Sequence, residues 1–336
     1  MSISPPSFSE GSLGGSGVAA QADGMGMDLD GNQWLLLRGR RETVFWVLTL
    51  VGLLIALPQT TSMHGQGSPN RSGRDVKARG SSDATVSPEE LFQRAQYAES
   101  TKDHAQALSL YRRAAGRGHP PSQNNLGLLY FKGLGGKRDP EEAVKWFREA
   151  ARQSYPQAQN NLGVCFRDGV GVQQSFEEAA KWFMQAAEQG YAEAQNNLGV
   201  RFYQGTGMPK NPAMAVSYYK RSADQGLAAA WVNLGVCHVD GRGMPKDLNK
   251  AFECFTIAAQ KGDSDGLLNL GFAHMQGHGV PKDLVRAYVC FNTAVSHGDG
   301  YASQARTRLR REMSEKQVQE AQRRSYQYST RETAER

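Results

Sequence analysis

Cysteine is scarce in this chain, with four among 336 residues. That is too few for the disulfide framework of a small secreted scaffold, so Cys165, Cys237, Cys254 and Cys290 read as small buried thiols. Zinc-finger spacing is missing, and basic residues do not alternate with aromatic ones, so no nucleic-acid partner is expected. The net charge of +6 does not restore one, because residues 301–336 alone hold nine Arg or Lys against five Glu. No Ser-His-Asp set or paired carboxylates can be assembled with any specificity. The expectation is therefore a chain that is not an enzyme, with no cofactor and no small-molecule substrate. Charge is also absent from residues 43–57, TVFWVLTLVGLLIAL.

What the sequence has in abundance is repetition. Leu126, Leu162, Leu198, Leu234 and Leu270 are spaced by 36 residues without an insertion or deletion. Asn125, Asn161, Asn197, Asn233 and Asn269 share the period, as do Gly127, Gly163, Gly199, Gly235 and Gly271. An aromatic column follows at Phe147, Phe183, Tyr219, Phe255 and Phe291. A fixed period of this size marks a solenoid of stacked units.

Each unit reads as two helices. In AEAQNNLGVRFYQG, Ala194, Leu198 and Phe202 fall at i, i+4 and i+8. Gly199 inside that helix costs about 1 kcal/mol relative to alanine, so its recurrence predicts a close neighbour. A G-x-G pair then ends the helix. Asp139, Ser175, Asn211, Asp247 and Asp283 supply the N-cap of the second helix, and Ser175 with Glu178 predicts a capping box. GTGMPK and GRGMPK in these loops follow a helix rather than a strand, which excludes a phosphate-binding loop. Asp103, Ala107, Tyr111, Ala114 and Gly118 continue the register upstream, and residues 301–324 read as one further, basic helix.

The pattern A-x-x-N-L-G-x-x-F/Y-x-x-G-x-G-x-x-x-D-x-x-x-A-x-x-W/Y-F/Y-x-x-A-A-x-x-G resembles the Sel-1-like repeat, a relative of the tetratricopeptide repeat, over about residues 89–298. The resemblance implies an all-α solenoid of helix-turn-helix units whose first helices line a concave face. It also implies an adaptor or scaffold; the best-known eukaryotic members serve in quality control at the endoplasmic reticulum. The expected segments are 88–118 as an atypical N-terminal capping repeat, then repeats at 119–154, 155–190, 191–226, 227–262 and 263–298. A basic capping helix at 299–325 and a tail at 326–336 follow.

Residues 1–42 read as a disordered segment and 64–87 as a flexible linker. Between them, 43–63 offers just enough length for a transmembrane signal anchor. A signal-peptide core and a buried helix are the other readings of this run. Arg38, Arg40 and Arg41 on its N-terminal side favour a cytoplasmic N-terminus. The repeats would then be lumenal or extracellular, on a single-pass membrane protein, and the Asn70 sequon would be usable for glycosylation.

Two columns are expected, by resemblance to tetratricopeptide repeats, to line the groove: Asn124, Asn160, Asn196, Val232, Leu268, and Phe131, Arg167, Tyr203, Val239, Met275. Asn124, Asn160, Asn196, Arg167 and Tyr203 form the expected partner-binding face. The Asn125 column, present in every unit, is expected to bond neighbouring backbone. His274 and His278 have a spacing that zinc ligands can use, but Gly277 separates them. His238 and His274 replace the aromatics Tyr130, Phe166 and Phe202, which predicts core or interface histidines.

Overall fold

A computed structural model of the chain describes residues 86–335, and every regular element among them is helical. The expected disordered segment, the anchor at 43–63, most of the linker and Asn70 lie outside the described residues. Six helical hairpins follow one another: α1 Pro88–Ser100 with α2 His104–Ala115, α3 Pro120–Lys132 with α4 Pro140–Arg152, α5 Pro156–Asp168 with α6 Phe176–Glu188, α7 Ala192–Gln204 with α8 Pro212–Asp224, α9 Ala228–Asp240 with α10 Leu248–Gln260, and α11 Ser264–Gln276 with α12 Leu284–Ser296. Two helices close the array, α13 Gly300–Arg310 and α14 Glu315–Glu335. Each first helix packs on its own second helix and on the second helix of the preceding hairpin.

The glycine column inside the first helices exists for the aromatic column of the second. A Cβ added at Gly163 would lie 2.7 Å from Cε1 of Phe183, and one at Gly235 would lie 2.4 Å from Cε1 of Phe255. Phe147, Phe183, Phe255 and Phe291 are almost fully enclosed as a result. Burying a ring of this kind contributes about 1.5–3 kcal/mol, which outweighs the helix propensity that glycine gives up. Around the ring, alanines of the second helix meet the leucine of the next hairpin's first helix, as with Ala179, Ala186 and Ala187 of α6 against Leu198 of α7.

The second glycine of each G-x-G has a different task. A Cβ at Gly207 would come within 2.1 Å of the Phe176 carbonyl oxygen, at the start of the preceding second helix. The loop therefore lies directly on the neighbouring hairpin, and the turn fixes the stacking of one unit on the next.

The predicted N-caps form. Asp139, Ser175, Asn211, Asp247 and Asp283 each accept from the backbone N–H three residues on, at 2.9–3.2 Å. The capping box at Ser175 is only half made. Ser175 N–H donates instead to the Phe166 carbonyl at 2.9 Å, and the Glu178 carboxylate pairs with Lys181 at 2.6 Å. This backbone bond to the first helix recurs at Asp139, Asn211, Asp247 and Asp283.

The C-terminal expectation needs correction, because residues 301–324 are not one helix. The chain breaks after Arg310 and restarts at Glu315. Ser314 Oγ accepts from Gln317 N–H at 3.3 Å, and Gln317 Oε1 accepts from Ser314 N–H at 2.9 Å, a reciprocal cap that starts α14. Val318 and Ala321 of α14 are buried, and the helix packs against α12.

Candidate partner-binding groove

Two ladders of side-chain amides run along the first helices. Asn161 Nδ2 donates to Asn124 Oδ1 of the preceding hairpin at 2.8 Å, Asn197 to Asn160 at 2.9 Å, and Asn233 to Asn196 at 2.8 Å. The second ladder uses glutamine. Gln123, Gln159 and Gln195 each donate to a carbonyl near the end of the preceding second helix, those of Ala115, Ala151 and Ala187. Each also accepts from a glutamine at the end of its own second helix: Gln153, Gln189 or Gln225. Buried amides left without partners would each cost about 1–3 kcal/mol, so each rung locks the spacing between neighbouring units.

These ladders change the reading of the expected partner face. Asn124, Asn160 and Asn196 are buried, and each Oδ1 already accepts the rung from the next hairpin. Arg167 is buried too, and grips the neighbouring Asp168 through Nε at 2.7 Å and a terminal nitrogen at 2.9 Å. Tyr203 keeps part of its ring accessible while its hydroxyl donates to Asp240 of the next hairpin at 2.5 Å. The Asn125 column also needs correction. Three of its members bond the preceding Asn column, and Asn125 itself bonds the Tyr111 hydroxyl at 3.1 Å. Only Asn269 reaches backbone, at the Asp265 carbonyl of its own helix. The glutamine ladder was missed in the sequence, although both of its columns repeat at 36 residues and could have been found there.

The Sel1 repeat family matches residues 92–119, 120–155, 156–191, 192–227, 228–263 and 264–299, a continuous stretch of well over half the chain. The chain belongs to the Sel1 repeat family. Among solved structures it is similar to a Sel1 repeat protein from Oxalobacter formigenes, at 31% identity and a TM-score of 0.60, over 64% of this chain and 86% of that one. It is also similar to a protective antigen of uropathogenic Escherichia coli displaying the same fold, at 30% identity and a TM-score of 0.60. That match covers 73% of this chain but spans only about half of the antigen, 54% of its length. No curated protein matches the chain.

Within the Sel1 array the polar ladders stop at the fourth matched unit after α2. Val232 and Leu268 replace the accepting asparagines, and Trp231 and Leu267 replace the glutamines. At this junction α9 and α11 pack closely against each other, more so than any other successive first helices among the described residues. Gly266 also brings α11 close onto α10, because a Cβ there would lie 2.6 Å from Cβ of Ala258. The face of the first helices is thus amide-bonded in its N-terminal part and apolar in its C-terminal part.

The histidines fit the core reading. His274 is buried with its ring edge-on to Phe252, centroids 5.4 Å apart, and burial lowers its pKa below the usual imidazole value. Among the described residues no cluster of three or more His, Cys, Asp or Glu is placed to hold a metal ion. All four cysteines are free thiols, three of them buried, and burial raises their pKa values to about 11–12. A thiol held protonated in this way is a poor nucleophile.

Proposed function

We propose that the chain is a non-catalytic scaffold or adaptor that holds protein partners on the face of its first helices. Sel1 repeat arrays are interaction scaffolds, and the observation that carries the reading here is the asparagine ladder. It joins α3, α5, α7 and α9 through side chains into one continuous preorganised surface. Preorganisation lowers the ordering cost of binding. Tyr203 supplies a partner contact, while the buried Asn124, Asn160, Asn196 and Arg167 hold the register beneath it.

The array is held at a membrane by residues 43–63, with the repeats on the lumenal or extracellular side and a role in lumenal protein quality control. The support is the uncharged run with its arginine-rich N-terminal flank. No helix among the described residues is long and apolar enough to cross a membrane, and the run lies outside them. The test is a photo-crosslinker placed at Tyr203 in the full-length chain, with a second at Lys181 on an outer helix. Partner proteins should be captured from Tyr203 and not from Lys181; equal capture from both, or none, sinks the scaffold reading. Carbonate extraction and a glycosidase mobility shift at Asn70 test the membrane part, which fails if the chain is released by carbonate or never carries a glycan.

A further inference from the structure

Part of the basic character that the sequence concentrates in the tail joins, in three dimensions, one basic edge of the array. The first helices from α3 to α11 end at the edge formed by the G-x-G loops. These loops carry exposed Lys210, Arg242, Lys246 and Lys282 in the third, fourth and fifth units after α2. Helix α13 packs on α12 as a seventh first helix would, after a turn through Gly298 at positive φ like those of Gly190, Gly226 and Gly262. Its C-terminal end therefore comes out at the same edge, and Arg308, Arg310 and Arg311 there are all exposed.

The carboxylates along this edge are already engaged, apart from the exposed Glu312 in the turn between α13 and α14. Asp247 and Asp283 cap their helices and pair with Lys250 at 3.7 Å and Arg286 at 3.5 Å. Asp240 takes the Tyr203 hydroxyl and lies 3.8 Å from Arg242, and Glu315 pairs with Arg310 at 3.5 Å. Lys210, Lys246, Lys282, Arg308 and Arg311 make no ion pair among the described residues. In the next loop burial, and after it the charge of Lys246, lowers the basicity of His278. Around the third to fifth units the opposite edge, made by the turns between hairpins, carries Glu188, Asp224, Asp263 and Asp299 against Lys261, while the earlier turns carry Arg117 and Arg152. Charge is thus polarised across the third to fifth units, whereas in the earlier units Glu141, Glu142, Glu177 and Glu178 stand beside the G-x-G loops.

Beside the basic edge stand the last turns of the first helices, with Tyr203, Val239 and Met275 partly accessible one residue before each helix ends. Cations therefore border an apolar strip for three successive units. We infer that the third to fifth units bind an acidic segment of a partner protein, with its carboxylates on Lys210, Arg242, Lys246, Lys282, Arg308 and Arg311 and its apolar side chains against Tyr203, Val239 and Met275. This rests on the scaffold reading and adds the chemistry of the partner.

The test uses the full-length chain and three fluorescein-labelled peptides of alternating sequence: Glu/Leu, Gln/Leu and Lys/Leu. Anisotropy should show the Glu/Leu peptide binding about tenfold more tightly than the Gln/Leu peptide at low salt, with most of that advantage lost at high salt. The quadruple variant Lys210→Gln, Arg242→Gln, Lys246→Gln, Lys282→Gln should lose the preference while melting at the same temperature, since all four side chains are exposed. Met275→Glu should weaken the Glu/Leu peptide without removing salt sensitivity. Equal binding of all three peptides, or a preference unchanged in the quadruple variant, overturns the proposal. So does displacement of the Glu/Leu peptide by phosphatidylserine vesicles but not by phosphatidylcholine vesicles, which would assign the edge to an anionic lipid surface. Each of these leaves the scaffold reading standing if the Tyr203 crosslinker still captures partners.

Discussion

Replacing Gly235 by alanine sets two known effects against each other. Removing a helix-interior glycine should stabilise by about 1 kcal/mol. Against this, the new Cβ would lie 2.4, 2.7 and 2.9 Å from Cε1, Cδ1 and Cζ of Phe255. Carbon atoms pack at about 3.5–4.0 Å, so the ring must retreat by about 1 Å. It has little room, being 2% exposed and packed with Val232, Ala251 and Ala258. Overpacking of this kind costs about 1–3 kcal/mol, and the tightness here places it at the upper end. The expected net loss is about 1–2 kcal/mol, or a fall in Tm of about 2–8 °C for an array of this size. Thermal unfolding followed by circular dichroism at 222 nm reads it directly. In a Phe255→Leu background the same change should become neutral or stabilising. A raised Tm for Gly235→Ala in the wild-type background, or an equal loss in both backgrounds, would refute the claim that the ring demands the glycine.

Asn160→Val should cost about 1–3 kcal/mol by leaving the Asn197 amide without its acceptor, measured by urea unfolding; no loss would show the rung to be incidental. Stability should fall as pH drops below the ordinary histidine value of 6.5, because the buried His274 has a lowered pKa in the fold and the unfolded chain takes up its proton first. Arg286 and Asp283 bear on this imidazole in opposite directions, and His274→Phe should flatten the acid limb of the urea midpoint; an unchanged limb would remove His274 as its cause. The buried Cys165 and Cys237, with pKa values near 12, should resist Ellman's reagent at pH 8 until the protein is unfolded; rapid native labelling would contradict the packing. Ser314→Ala should fray the start of α14 by about 1 kcal/mol, seen as faster amide exchange at Lys316 and Gln317, and unchanged exchange would argue against the cap.

The sequence by itself determined the fold of the repeats, because every local signal repeats in phase. Leucine at one column, glycine at the next, a short polar cap and an aromatic each specify one contact within a hairpin, and 36-residue spacing returns each contact to the same place. The buried histidine at 274 was legible for the same reason, since it stands in an aromatic column. Only the tertiary structure decided what the asparagines do. Asn124 and Asn161 are 37 residues apart and bond across two units, so no reading of a single helix could tell an exposed carboxamide from a bonded one. The break at 311–314 lay within reach of the sequence, through Ser314 and Gln317, but charge dominated the appearance of that stretch. Of the basic edge, the column Lys210, Lys246 and Lys282 repeats at 36 residues and lay within reach, but Arg308 has no place in that column, and stacking alone brings it to the same edge, because parallel first helices all end on one side.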